Sequence, residues 1–295
     1  MAALGQMQVV STSPSLNAIA PTTSTVSVTF DRAVNTGTVT GATFRVSGQW
    51  SGAGPGAFSF SNGNKTVTVT PTKPFSAGEM VFVNLSHAIV GADTTPLRAA
   101  GYAFQFRTAV APSAADFNQL TSFSNRIAGA QTRIYGASAA DLNNDGYLDL
   151  TTVNEVSADV RVFLNRADGS GLYQPMLAPQ DIGVEASPHA PADLNNDGNL
   201  DLVVSATTSQ SVWILLGAGD GTFSSITEIP VGGEPHGIQV LDVDGDGDLD
   251  VVSSDVSSDE IRVFLNDGTA ALGPGMPYSV GPRDGANSLQ LADLD

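Results

Sequence analysis

Residues 242–250 read DVDGDGDLD and place five carboxylates within nine positions. Like charges this close repel each other, so folding favours this arrangement only if a cation binds among them. Side-chain oxygens fall at positions 1, 3, 5 and 9 of the stretch, and glycine at position 6 allows a sharp bend. Alternate oxygens on a tight turn converge on one point, and the backbone carbonyl of position 7 can add a ligand. Such oxygen ligands suit Ca²⁺, which takes six to eight, better than zinc, which prefers His or Cys.

The same pattern occurs in two further places. ADLNNDGYLDL begins at residue 140 and ADLNNDGNLDL at residue 192, and the chain ends with ADLD. We name the three complete stretches loop 1 (141–149), loop 2 (193–201) and loop 3 (242–250). The predicted metal ligands, with position 7 counted through its carbonyl oxygen, are Asp141, Asn143, Asp145, Tyr147 and Asp149; Asp193, Asn195, Asp197, Asn199 and Asp201; Asp242, Asp244, Asp246, Asp248 and Asp250; and Asp293 and Asp295, which begin a fourth loop.

The loops mark a repeat of about 50 residues. Their first aspartates, Asp141, Asp193, Asp242 and Asp293, are 52, 49 and 51 residues apart. In the second unit, LDLVVSA (200–206) and SVWILLG (211–217) read as short strands that a polar turn separates. Four short strands in about 50 residues is the size of a propeller blade. The repeat therefore predicts an incomplete β-propeller of about three and a half blades.

Ordinary turns are the simplest alternative, because Asp, Asn and Gly are also common turn residues. Three loops with the same oxygen spacing, each followed by Leu-Asp and a strand, favour metal binding instead. An EF-hand has Glu at position 12, where these loops have Thr152, Val204 and Ser253, and their flanks read as strands. Loop 3 offers four ligand carboxylates against three in each other loop, so we expect it to bind the ion most tightly.

The loops resemble the FG-GAP/VCBS repeat, the blade of integrin-α-like propellers. The resemblance rests on D-x-[DN]-x-D-G-x-L-D and covers about residues 120–295, although the family's Phe-Gly and Gly-Ala-Pro signatures are only loosely present. It implies that the aspartates at positions 1, 3, 5 and 9 hold calcium between the first two strands of each blade. Propellers of this kind usually have seven blades, or about 350 residues. We therefore expect either a fragment or two chains that associate to complete one ring.

The first part of the chain reads as a β-sandwich. TVSVTF (25–30), KTVTVTP (65–71), MVFVNL (80–85) and YAFQFRT (102–108) alternate apolar and polar residues, as strands with one buried face do. SNGN (61–64) indicates a hairpin, because Asn-Gly accepts the positive φ of a type I′ turn. About seven strands without a convincing helix predict an immunoglobulin-like sandwich. This part also resembles the bacterial Ig-like modules of surface-layer and adhesin proteins, which implies a spacer or presentation role.

The fold class is therefore all-β, with a sandwich over 1–110, a linker over 111–118 and the propeller fragment over 119–295. Charge separates the two parts. Residues 1–118 hold six basic and four acidic residues, whereas the remainder holds six basic and 26 acidic ones. The acidic part argues against nucleic acid or an anionic membrane as partner. The chain has no cysteine, no apolar run long enough to span a membrane, and no signal peptide at its start.

Outside the loops, the sequence offers little for catalysis. It has three histidines, His87, His189 and His236, and no H-E-x-x-H, G-x-S-x-G or P-loop motif. His189 and His236 each follow a proline shortly before a loop, so we expect them to occupy similar places in two blades. We expect Trp213 to pack inside a blade. Trp50 is expected to be exposed and is a candidate ligand contact.

These observations predict a non-enzymatic, extracellular, calcium-stabilised module for adhesion or ligand binding in a bacterium. Its partner would be a protein or a glycan at the cell surface. The extracellular assignment rests on calcium, because sites of modest affinity stand empty at the calcium concentration inside a cell. The alternative is a carbohydrate-binding propeller, or the accessory region of a secreted polysaccharide-acting enzyme whose catalytic part lies beyond residue 295.

Overall fold

A computed structural model describes residues 5–53, 56–99, 101–112, 119–129, 131–281 and 288–289. The described residues form β-strands and one short 3-10 helix, Thr36–Thr38, which confirms the all-β prediction. None of them forms a helix with the length and apolar character of a membrane span. Residues 113–118 of the predicted linker lie outside the described residues.

The chain divides into two compact units, one built on Met1–Pro112 and one on Ser113–Leu241 with Leu249–Asp295. The loop Asp242–Asp248 clusters with the first unit but joins two strands of the second.

The first unit has two sheets, with strand orders β1-β3-β7-β6 and β2-β9-β8-β4-β5. All neighbours are antiparallel except β2 and β9. Val26, Val28 and Phe30 alternate along one strand and are buried in a single apolar core, as their spacing predicted. The strands are β1 (Val9–Ser13), β2 (Ile19–Ala20), β3 (Val26–Phe30), β4 (Phe44–Gly48), β5 (Gly52–Ala53), β6 (Ala57–Ser61), β7 (Thr66–Thr70), β8 (Met80–Leu85) and β9 (Tyr102–Thr108).

The predicted hairpin joins β6 to β7, but its loop is longer than a type I′ turn. Ser61 pairs with Thr66, so four residues rather than two form the connection. Asn62, Gly63 and Asn64 all have positive φ. The Asn-Gly signal therefore located the reversal correctly, and the second asparagine extended it by accepting the same left-handed conformation.

The described residues of the second unit form three four-stranded antiparallel sheets, and each follows chain order from its first strand to its fourth. We name them blade 1 (β10–β13), blade 2 (β14–β17) and blade 3 (β18–β21). The strands are β10 (Ile134–Ala140), β11 (Asp149–Asn154), β12 (Asp159–Phe163), β13 (Gln180–Asp181), β14 (Ala186–Ala192), β15 (Asp201–Ala206), β16 (Ser211–Gly217), β17 (Phe223–Pro230), β18 (Pro235–Leu241), β19 (Asp250–Asp255), β20 (Glu260–Phe264) and β21 (Met276–Ser279).

Blade 2 lies between two apolar clusters, which explains why its second strand is continuously apolar rather than alternating. Every residue of β15 is buried. Leu202 and Val204 pack with Val153 of blade 1, whereas Val203 packs with Val251 of blade 3. A fully buried Val or Leu side chain contributes about 1.5–3 kcal/mol. Stacked blades therefore bury both faces of the sheet and hold each loop in a fixed place.

Candidate metal centre

Each of the three loops joins the first strand of a blade to the second. Loop 1 leads from β10 to β11, loop 2 from β14 to β15 and loop 3 from β18 to β19. The last residue of the first strand pairs with the position 9 aspartate in every case, as Ala140 does with Asp149. This shared register brings the two ends of each loop together, so the predicted ligands are held across a closed turn. Asp293 and Asp295, the start of the predicted fourth loop, lie outside the described residues.

The position 1 aspartate organises each turn through its two oxygens. Oδ1 and Oδ2 of Asp141 accept the backbone N–H groups of Asp145 and Gly146 at 3.0 and 3.1 Å. Asp193 accepts the N–H groups of the same two positions in loop 2, whereas Asp242 accepts those of positions 4 and 6 in loop 3. Position 6 glycines have φ values of +86°, +91° and +101° in loops 1, 2 and 3, a conformation that other residues rarely adopt. The D-x-x-x-x-G spacing is therefore required by the turn itself.

The position 9 aspartate fastens the loop to the blade. Oδ2 of Asp201 accepts the backbone N–H of Leu194 at 2.8 Å, and Oδ1 accepts that of Gly217 at 2.8 Å. Asp149 accepts two backbone N–H groups at the corresponding positions of loop 1. These carboxylates are completely buried. A carboxylate has about four lone-pair sites, so two N–H bonds leave capacity for a cation.

Burial makes negative charge costly at these positions. Burial raises the pKa of Asp149 to about 6 and the pKa of Asp201 to about 7; the backbone donors oppose this shift, and neighbouring loop aspartates add to it. The pKa of Asp246 is also raised, chiefly by burial. An adjacent cation would favour the charged form and offset this cost.

Loop 3 brings its carboxylates together most clearly. One oxygen from each of Asp242, Asp244 and Asp250 lies within 4.8 Å of the other two. Calcium holds its oxygen ligands at about 2.3–2.6 Å, so two ligands of one ion are at most about 5 Å apart. The donor chemistry and the spacing of loop 3 therefore fit a calcium ion.

Loops 1 and 2 differ from loop 3 at position 3. Asn143 donates from Nδ2 to Oδ2 of Asp145 at 2.9 Å, and Asn195 makes the same bond to Asp197 at 3.0 Å. An ion that takes both side chains as ligands must replace this amide–carboxylate bond. Loop 3 has a carboxylate at position 3, and an ionised carboxylate cannot donate a bond of this kind. This difference favours tighter binding by loop 3.

The two propeller histidines occupy different positions, contrary to the sequence-based expectation. His189 is opposite Val204, and its counterpart in blade 3 is Ile238, opposite Ser253. Nε2 of His189 lies 2.8 Å from Ser138 Oγ, and burial lowers the pKa of this histidine to about 4. The signal was available in the sequence, because His189 precedes its loop by four residues and His236 by six.

His236 corresponds in register to Tyr135 of blade 1, and sequence analysis missed this pair. The Tyr135 hydroxyl lies 2.7 Å from Nε2 of His236, with the rings perpendicular. His87 is exposed just after β8, and Trp50 is only partly exposed rather than open to solvent. Trp213 packs against the apolar cluster between blades 1 and 2, as expected, and its indole N–H donates to Ser211 Oγ.

Two family models match the chain. Residues 141–204, 193–253 and 242–295 match the FG-GAP-like repeat, and together these matches cover more than half of the chain. Residues 5–108 match the bacterial Ig-like domain. Both matches confirm the resemblances drawn from the sequence. No curated protein matches the chain.

Solved structures resemble the chain only distantly. An Agrocybe aegerita lectin that recognises non-reducing terminal N-acetylglucosamine is 22% identical over 67% of this chain and 46% of its own, with a TM-score of 0.36. Domains 1–6 of the surface layer protein SbsC are 15% identical over 95% of this chain and 41% of their own, with a TM-score of 0.30. The Escherichia coli copper resistance protein PcoC is 13% identical over 35% of this chain and 99% of its own, at 0.28. At these scores, none of the three indicates what the chain binds.

Proposed function

The chain belongs to the FG-GAP-like repeat family, and we propose that it is a non-enzymatic, extracellular module for adhesion or ligand binding whose loops are held by calcium. The observation that carries the proposal is the convergence of Asp242, Asp244 and Asp250 in loop 3. The recurrence of the same turn in loops 1 and 2 supports it. Calcium in this proposal is structural, because it offsets the repulsion among the loop carboxylates and rigidifies the same end of each blade.

The location follows from the affinity expected of such loops. With a Kd of about 0.1 mM and calcium at about 1 mM, one site stabilises the fold by about 1.4 kcal/mol. Three sites would contribute about 4 kcal/mol, a sizeable part of the stability of a typical domain. At the calcium concentrations inside a cell these sites would be empty and this stabilisation lost. We therefore place the protein outside the cell, at a bacterial surface.

The partner that fits this proposal is a protein or a neutral glycan. Counting the whole sequence, the part after residue 118 holds 20 more acidic than basic residues, so it repels nucleic acid and anionic membranes. The acidic charge is concentrated in the loops, where the proposed ions would neutralise part of it.

A calcium titration tests the proposal directly. Protein stripped with a chelator is titrated with calcium by isothermal calorimetry, and its melting temperature is followed in parallel. We expect about three sites and a melting temperature that rises with calcium, with magnesium as the matched control giving a much smaller rise because it requires a stricter octahedron. If calcium produces neither heat nor a shift, the repeats are acidic turns, and both the calcium mechanism and the extracellular assignment are lost.

Carbohydrate binding is a second candidate, and a pocket in blade 1 favours it. The pocket has a volume of about 310 Å³ and is lined by Phe123, Phe163 and Tyr173 together with Arg166 and Gln174. The ring centroid of Phe123 lies 4.9 Å from that of Phe163 and 5.5 Å from that of Tyr173, and residue Phe123 is 46% exposed. An exposed aromatic face beside polar side chains suits a sugar ring, which has both C–H faces and hydroxyl groups.

A glycan array with calcium-loaded protein separates the two candidates. If the pocket binds a saccharide, Phe123→Ala should abolish the signal, whereas Trp213→Phe should leave it intact because Trp213 packs against the core between the blades. Loss of binding in Trp213→Phe alone would place the sugar elsewhere. If no glycan binds, a protein partner remains the proposal.

A further inference from the structure

Loops 1 and 2 are joined by a direct side-chain hydrogen bond. Nδ2 of Asn144, at position 4 of loop 1, donates to Oδ1 of Asn199, at position 7 of loop 2, at 2.9 Å. Asn144 has a φ of +59° and lies between the predicted ligands Asn143 and Asp145. Asn199 carries the backbone carbonyl that we predict as a ligand of loop 2. The bond therefore connects the residues of one predicted site with those of the next.

A turn of blade 2 confines this pair of amides. Gly219, between β16 and β17, has a φ of +75°. A Cβ atom at this position would lie 2.4 Å from Oδ1 of Asn199 and 3.1 Å from Nδ2 of Asn144. Only glycine fits there without displacing an amide, so the backbone of the turn restricts the positions that both side chains can take.

The backbones of loops 1 and 2 are also bonded to the next blade. The Leu142 N–H donates to the position 9 carboxylate of Asp149, and its carbonyl accepts the N–H of Gly221 in blade 2 at 3.1 Å. In loop 2, the carbonyl of Leu194 accepts Nδ2 of Asn266 in blade 3 at 2.7 Å. A peptide unit next to the predicted ligands thus joins each of these loops to the blade that follows.

We propose that loops 1 and 2 bind their ions with positive coupling, and that the Asn144–Asn199 hydrogen bond transmits it. This inference rests on the calcium function proposed above. An ion in loop 2 fixes Asn199 through its carbonyl. The fixed amide then holds Asn144, which orders loop 1 between two of its ligands before its own ion arrives, so the second ion loses less conformational entropy on binding. By linkage, an ion in loop 1 has the same effect on loop 2.

The expected size of the coupling is modest because the bond is neutral and exposed to solvent. A hydrogen bond of this kind corresponds to a coupling of about two- to fivefold in affinity. Two doubly charged ions also repel each other through space, and this effect has the opposite sign. The experiment must therefore compare backgrounds that differ only in the hydrogen bond.

Terbium luminescence can follow loop 1 by itself. Tyr147 is the position 7 residue of loop 1, whereas loops 2 and 3 have Asn199 and Asp248 there. Terbium emission excited through tyrosine, after subtraction of the emission that remains in Tyr147→Phe, reports the occupancy of loop 1. The full chain is titrated with terbium at about 0.15 M salt to screen long-range charge effects.

The coupling is measured by weakening ion binding in loop 2 with Asp197→Asn and recording the change in the half-saturation concentration of loop 1. In the native background we expect this change to raise the half-saturation concentration of loop 1 about two- to fivefold more than in an Asn199→Ala background. Asn199→Ala removes the amide acceptor and keeps the carbonyl ligand. Asn144→Gly, which retains the positive φ, should behave like Asn199→Ala and covers the case in which that variant folds poorly.

The outcomes separate this inference from the proposed function. Equal shifts in the native and amide-free backgrounds would overturn the coupling while leaving ion binding in place. Absence of tyrosine-sensitised emission from the native chain, with no calcium heat, would overturn the proposed function itself.

Discussion

The position 9 aspartate of loop 2 has a structural role that does not depend on calcium. Asp201 is fully buried, and its two oxygens accept the backbone N–H groups of Leu194 and Gly217, both at 2.8 Å. Asp201→Ala leaves both N–H groups buried without an acceptor, at about 1–3 kcal/mol each. The variant no longer buries a carboxyl whose pKa burial has raised to about 7, which offsets part of this loss. At pH 5 this offset is about 2 kcal/mol against a loss of about 4 kcal/mol, so we expect the free energy of unfolding to fall by about 2 kcal/mol at that pH.

Urea unfolding in the presence of a chelator measures this effect without any contribution from the ion. Asp197→Ala, at the exposed position 5 of the same loop, is the matched control, and it should lose stability mainly when calcium is present. Asp201→Ala should be destabilised in both conditions. If Asp201→Ala unfolds like the native protein in chelator and differs only in calcium, then the aspartate serves as a ligand alone, and the reasoning from its hydrogen bonds is refuted.

Three further predictions concern single side chains. Burial lowers the pKa of His189 from 6.5 to about 4, so between these pH values the unfolded chain binds more protons than the folded chain. As pH falls through this window, the native protein should lose about 3 kcal/mol of stability relative to His189→Gln. Parallel pH profiles of the two proteins in urea melts would contradict this. Gly219→Ala should destabilise the protein by about 1–2 kcal/mol because of its positive φ, and it should also remove the proposed coupling between loops 1 and 2. Gly169 has the same φ of +75°, and a Cβ atom there would meet no other atom within 4 Å. Gly169→Ala should therefore show the same destabilisation without loss of coupling in the terbium titration. Asp244→Asn should weaken the calcium site proposed in loop 3 about tenfold in calorimetry, whereas Asp267→Asn, outside the loops, should leave the proposed sites unchanged.

Local patterns in the sequence were sufficient to predict the strands and the positions of the loops. Apolar alternation predicted β3, β7, β8 and β9, because each of these strands has one face in the core of the first unit. The recurring aspartates located the boundary between the first and second strands of all three blades, since the turn requires both the aspartate and the glycine. These features depend on residues within one loop or one strand, and such residues are adjacent in the sequence.

Contacts between repeats could not be predicted in this way. Asn266 and Leu194 are 72 residues apart, and nothing in either segment indicates that they meet. The buried ion pair of Arg161 and Asp159 was also missed. Arg161 donates in addition to the carbonyl of Asn125, which lies 36 residues earlier in the chain, and the sequence gives no sign of this contact. The two histidines were misplaced relative to each other although their distances from the loops, four and six residues, differ in the sequence itself.

The bonds from loops 1 and 2 to the blades that follow them give the repeat part the character of a one-dimensional array. In such an array, total stability is approximately the sum of the stabilities of single repeats and of the interfaces between neighbours. Loss of the ion from one loop would then weaken one repeat and one interface, and leave more distant blades almost unaffected. Calcium would set the cooperativity of unfolding as well as its midpoint: with ions bound the blades would melt together, and without them amide hydrogen exchange would become fast at single interfaces before the whole array opened.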